Sequence, residues 1–161
     1  MKTIKISTKN QVVIGKEKLE ELSAQINGGG VTYSPLLDKD YGGTRYIVIS
    51  PFPERSKIFT GNATAKMLAD YCEENSDLLS KGFPLGGWFD QSSGKTYIDV
   101  SVTVPLEKEE KAVSLGKKAN QKSGFNLSDF SEIPLGGTGE FDSSVVSFEE
   151  RLKDSLALMT A

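Results

Sequence analysis

Gly94-Lys95-Thr96 is the stretch that looks most like chemistry in this 161-residue chain, because Gly-Lys-Thr closes the phosphate-binding P-loop. That loop also needs a glycine five positions before its last one and a helix directly after the lysine. Position 89 is Phe89, and Lys95 leads into YIDVSVTV, which alternates as a strand does. A turn is expected here rather than a nucleotide site. Gly136-Gly137-Thr138-Gly139 opens like a dinucleotide fingerprint, but Asp142 stands where the last glycine belongs, and no strand and helix flank it. The chain has no histidine, which removes the commonest general base, the Ser-His-Asp and Cys-His nucleophile arrangements and every histidine-ligated metal site. Cys72 is the only cysteine, so neither an internal disulfide nor a cysteine zinc cluster is possible. It falls on the apolar side of a helical pattern, where a buried, inert thiol is expected. Carboxylates with Lys, Arg or Tyr can still do acid–base work when buried or paired, yet no spacing selects a pair. Glu107, Glu109 and Glu110 fall on an early helical turn and should be solvated. No catalytic residue, metal ligand or cofactor is expected.

The elements that would position any site follow from pattern. Ile4 and Ile6, then Val12 to Ile14 after a polar turn at Ser7 to Gln11, suggest an opening hairpin. In KEKLEELSAQI, Leu19, Leu22 and Ile26 share a helical face that Asn27-Gly28-Gly29-Gly30 terminates. YSPLLDKDYGG reads as a loop, TRYIVIS as a strand, and Lys57 to Phe59 as a shorter strand beyond the turn at Pro51 to Arg55. GNATAKMLADYCEENSDLL places Met67, Leu68, Tyr71, Cys72, Leu78 and Leu79 at helical spacing. A helix from Pro105 to about Lys118, a strand around Phe125 and Leu127, and a terminal helix with the stripe Phe148, Leu152, Leu156 and Met159 complete the chain. Residues 1–127 are expected to form the core domain, 128–146 an acidic, glycine-containing loop or connector, and 147–161 a helix belonging to the same domain or docking on a partner. Short strands mixed with three or four helices predict an α+β domain with a mainly antiparallel sheet.

Residues 83–104, FPLGGWFDQSSGKTYIDVSVTV, carry the clearest hairpin. With Gln91 to Gly94 as its turn, Asp90 pairs with Lys95, Phe89 with Thr96 and Trp88 with Tyr97. Ile98, Val100, Val102 and Val104 then share the core face with Phe89. Tyr97, Asp99, Ser101 and Thr103 share the other face with Trp88 and Asp90, and Gly86 leaves the floor in front of Asp99 without a side chain. This platform is either covered by a helix or loop, or open as a recognition surface of the kind Trp and Tyr favour. Glu54 and Arg55, in the turn before the short strand, are candidates to rim it.

A formal net charge of −3 without a basic block leaves no footprint of a duplex nucleic acid or anionic membrane binder. MKTIKISTKNQVVIG carries neither a signal-peptide pattern nor a membrane span, so a cytoplasmic protein is expected. From Asp129 to Glu150 there are six acids and no Lys or Arg, either a solvated face or an acidic recognition stretch.

The order Ser50-Pro51-Phe52-Pro53-Glu54-Arg55, Asn75 to Leu79, Leu85-Gly86-Gly87-Trp88, Gly94, Tyr97-Ile98-Asp99-Val100-Ser101, Gly116, Asn120-Gln121-Lys122 and Phe125-Asn126-Leu127 resembles that of small proteins encoded by bacteriophages and prophages. The resemblance spans about residues 28–139. It carries no catalytic residue and implies expression in the bacterial cytoplasm and a non-enzymatic protein that binds a host or defence protein. Binding would run through the Trp88 and Tyr97 platform, the acidic stretch or the terminal helix. Two alternatives remain open. One is a sequestering protein for a small nucleotide-like ligand, stacked on Trp88 with Lys95 or Arg55 at its phosphate; the other is an enzyme using carboxylates without histidine.

Overall fold

The structure is a computed structural model that describes residues 4–6 and 12–160. In chain order the strands and helices are β1 (Ile4–Ile6), β2 (Val12–Ile14), α1 (Lys16–Asn27), β3 (Gly30–Ser34), β4 (Lys39–Asp40), β5 (Tyr46–Ile49) and β6 (Lys57–Thr60). There follow α2 (Ala65–Glu74), α3 (Ser76–Leu79), β7 (Leu85–Asp90), β8 (Lys95–Val100), β9 (Val102–Pro105), α4 (Glu109–Lys118), β10 (Ser123–Asn126), β11 (Ser131–Pro134) and α5 (Phe148–Thr160). Among the described residues all strand pairs are antiparallel, and the class is α+β. The opening hairpin pairs Ile4 with Ile14; its expected turn at Ser7 to Gln11 lies outside the described residues.

The chain divides into two units, each assembled from two stretches of sequence: residues up to Asp40 with Ser56–Val100, and Tyr41–Arg55 with Ser101–Ala161. The first unit holds a five-stranded sheet in the order β4-β3-β7-β8-β6. Tyr33, Leu85, Ile98 and Val100 fill its inner face, with Leu22 and Ile26 of α1 and Leu68, Tyr71 and Cys72 of α2 completing the core. Gly87 lets α1 lie close to the sheet, since a Cβ there would come within 2.6 Å of Ile26 Cδ1. Asn27 ends α1 and ties it to the approach to α2: its side chain donates to the Ala63 carbonyl at 3.0 Å and accepts from the Ala63 N–H at 2.8 Å. Lys18 is buried with Nζ 4.3 Å from the centre of the Tyr33 ring and 3.3 Å from Glu21.

The second unit holds a four-stranded sheet in the order β11-β10-β5-β9. Ile47, Ile49, Val102 and Val104 are buried, and α4 adds Ala112 and Leu115. Leu135 closes over Gly116 and Gly124, and a Cβ on Gly116 would come within 2.5 Å of it. Beyond it the glycine-rich run is bound rather than loose. Gly137 N–H donates to the Gln121 carbonyl, Gly139 N–H to the Asn120 carbonyl, and the Asn120 amide bonds Thr138 and the Glu140 carbonyl. Asn120 adopts φ 56, a left-handed conformation that asparagine tolerates better than most residues.

Several expectations need correction. YS of the expected loop belongs to strand β3, whose alternation is hidden because Thr32, Tyr33 and Ser34 are all buried. The single helix expected through Leu79 is two: Asn75 separates α2 from α3, its amide folded back onto the Tyr71 carbonyl at 2.9 Å. The run from Tyr97 to Thr103 does not stay in one sheet. Ser101 interrupts it, β8 lies in the first unit's sheet and β9 in the second's, so Ser101 and Thr103 do not extend the platform and Val102 and Val104 belong to the other core. Residues 131–134 of the expected loop form β11, paired with β10. The terminal helix is buried along Arg151, Ser155 and Leu158, while Phe148, Leu152, Leu156 and Met159 flank that line half-buried. Sequence patterning could not place an arginine at the centre of a buried face.

Candidate functional site

Hydrogen-bonded register puts Gly30, Trp88, Tyr97 and Ile58 side by side across β3, β7, β8 and β6 of the first unit. They share one face of the sheet, the opposite of the face that carries Ile98 and Val100. Trp88 and Tyr97 stack with ring centroids 4.6 Å apart and planes 10° from parallel, a pairing worth about 0.5–1.5 kcal/mol beyond the area it covers. Even so, Trp88 remains 44% exposed and Ile58 55% exposed. The sequence reading missed Ile58, although its place in the alternation of KIFT could have revealed it: it is the residue of β6 opposite Tyr97. Gly30, paired opposite Trp88, contributes no side chain to that flank of the indole. The result is an apolar row of two stacked rings and an isoleucine that runs to the edge of the sheet.

The predicted register of the hairpin is the observed one: Asp90 with Lys95, Phe89 with Thr96, Trp88 with Tyr97 and Gly86 with Asp99. Gly94 closes the turn at φ 70, a conformation suited to glycine, and its N–H donates to the Asp90 carbonyl at 2.8 Å. Asp90 is not a free acid. It accepts from Ser92 N–H at 3.1 Å, Ser92 Oγ at 2.8 Å and Ser93 Oγ at 2.8 Å, and these bonds hold its carboxyl below the ordinary aspartate value. Lys95 is exposed at the mouth of the turn. At the other end of the face Gly86 is buried between Thr32 and Asp99, and Asp99 is half-buried, so the face is open at Trp88 rather than at Gly86.

Glu54 and Arg55 lie in the second unit. Glu54 receives both terminal nitrogens of Arg151, at 2.7 Å and 2.6 Å, and Arg55 lies over the Phe148 ring at 5.5 Å. Arg151 also donates to the carbonyls of Pro51 and Val146, each at 2.7 Å, and is 1% exposed. These residues anchor α5 to the turn at Pro51 to Arg55.

Other chemistry-bearing groups are occupied structurally. Cys72 is 3% exposed, and burial pushes its thiol up to about 12. Tyr33 donates to Asp38 at 2.7 Å, and burial followed by that bond raises its phenol well above the usual range. Asp129 and Asp142 each accept from the serine two residues on, which lowers their carboxyls. Glu107, Glu109 and Glu110 are exposed. A shallow groove of about 720 Å³ between α4 and Val146 carries Glu109 and Glu110 together with Lys117 and Lys118, the last held by Glu150 and Asp154. Among the described residues no helix is long and apolar enough to cross a membrane.

Against known proteins, no family model, no curated protein and no solved structure matches this chain.

Proposed function

We propose that this chain is a non-enzymatic interaction protein of phage or prophage type, acting in the bacterial cytoplasm by binding a host or defence protein through the Trp88, Tyr97 and Ile58 face. The observation that carries this reading is the stacked Trp88–Tyr97 pair left open beside an exposed isoleucine. Tryptophan and tyrosine are enriched among residues that dominate binding energy, and a prearranged pair loses little side-chain freedom when a partner covers it. The carboxylates offer less to a catalytic reading, because Asp90, Asp129 and Asp142 are engaged by serines of their own turns. A nucleotide-like ligand is also less favoured, because Tyr97 already covers one face of the indole.

The test compares capture of proteins from a bacterial lysate by the wild-type chain and by Trp88→Ala. The wild type should retain a protein that Trp88→Ala releases, with far-UV circular dichroism unchanged and stability lowered by no more than about 3 kcal/mol, part of it the lost ring pairing. Identical capture by both chains, or a collapse in the melting temperature of the variant, defeats the proposal. Saturable quenching of Trp88 fluorescence by a nucleotide would favour the small-ligand reading instead.

A further inference from the structure

The row that begins at Trp88 ends on a sheet edge, and the edge itself has recognition chemistry. β6 is the last strand of the five-stranded sheet, and among the described residues no strand pairs with its outer side. Gly61 N–H donates to the Gly94 carbonyl at 2.9 Å, which makes Gly61 and Gly94 a hydrogen-bonded pair in the β6–β8 register. Bonding alternates along an antiparallel ladder, so Lys57 and Phe59 direct their peptide groups at β8, while Ile58 and Thr60 direct theirs outward. Ile58 and Thr60 are also the exposed residues of the strand. The usual protections of an edge are sparse here, since Lys57–Thr60 contains neither proline nor glycine and Lys57 is its only charge.

We propose that β6 receives an extended segment of a partner protein as an additional strand, with an apolar side chain beside Ile58 and acidic side chains facing Lys57 and Lys95. This rests on the reading of the Trp88 face as a protein-binding surface and names how the partner is held. Lys57 stands on one face of the added strand's neighbour. Lys95 stands on the other, opposite Thr60 and exposed, so acids flanking an apolar residue complement the edge on both faces. A second copy of this chain fits less well. Its own edge strand, Lys57–Thr60, carries no acidic side chain to set against Lys57 or Lys95.

The probe is a capped peptide containing Glu-Thr-Val-Glu flanked by threonines, titrated while the fluorescence of Trp88, the only tryptophan, is followed. Saturable binding is expected. Methylating the alternate peptide nitrogens that would face β6 should weaken it about tenfold or more, while methylating the other alternate set should leave it nearly unchanged. Replacing both glutamates by lysine should also weaken it. Ile58→Pro removes an outward donor without touching the bonds to β8, and should weaken binding as the first methylation pattern does. No saturable binding, or equal effects of the two methylation patterns, overturns strand addition whether or not Ile58→Pro folds. A lysate partner lost by Trp88→Ala but kept by Ile58→Pro would leave the platform standing and sink the strand. A dimer in sedimentation that Ile58→Pro dissociates would show that the occupant is a second copy and overturn the partner assigned here.

Discussion

Cys72, the four turn-forming Asx residues and Trp88 show how far side-chain type alone determines behaviour. A lone cysteine on the apolar side of a helical pattern was legible as inert, and burial raises its thiol to about 12. Ellman's reagent at neutral or mildly alkaline pH should therefore leave native protein unlabelled and react with one thiol per chain in denaturant; rapid labelling of the native protein would contradict the burial. Asp90, Asp129, Asp142 and Asn126 all accept from the backbone N–H of the residue two positions on, a serine each time. Asx-x-Ser is a local signal, because the short side chain bonds the nearby backbone without help from the rest of the fold. The three aspartates have folded values below their ordinary 3.8. Their contribution is complete above the ordinary value and is lost as pH falls through the lowered folded values. Replacing all three by asparagine keeps the acceptors and removes the titration, so urea midpoints should fall less between about pH 6 and pH 3 in the variant than in the wild type. Trp88 is the opposite case: hairpin register fixed which residues stand beside it, but not whether anything covers it.

At the scale of elements, α5 is the instructive one. Its apolar stripe suggested burial along Phe148, Leu152, Leu156 and Met159, whereas Arg151 and Ser155 lie at the centre of the buried face. Arg151 is accommodated because its guanidinium is bonded to Glu54 and to the carbonyls of Pro51 and Val146, and Ser155 because its hydroxyl returns to the Arg151 carbonyl at 2.7 Å. Removing one member of a buried pair leaves an uncompensated charge. Glu54→Gln and Arg151→Met should each cost about 3–5 kcal/mol in chemical denaturation, and the double variant less than their sum. Additive effects would show that the pair is not coupled. The helix itself was readable from its capping-box spacing and periodicity; which face it buries was not, since that depends on a glutamate 97 positions away. Strand β3 was missed for a related reason: when both faces of a strand are buried, the alternation that marks it disappears.

Across the whole molecule, each unit draws on two distant stretches of chain. β5 lies between β10 and β9 in the second unit's sheet, yet it precedes them by more than 50 residues. A fragment of residues 101–161 lacks that strand, so β9 would lose its partner and α4 the strand that joins β9 to β10 beneath it. Such a fragment should give a coil-like far-UV spectrum and no cooperative melt, and a cooperative transition would show that the unit closes without β5. The α+β class, the opening strands, the positions of α1 and α5 and the hairpin with its register were all determined by the sequence, because each rests on local periodicity, capping or turn chemistry between near neighbours. Only the tertiary structure decided that β8 and β9 part at Ser101, that Glu54 is spent on Arg151, and that Ile58 joins Trp88 and Tyr97. Those outcomes depend on which distant segments pair, and strand pairing across tens of residues leaves no mark on the local pattern.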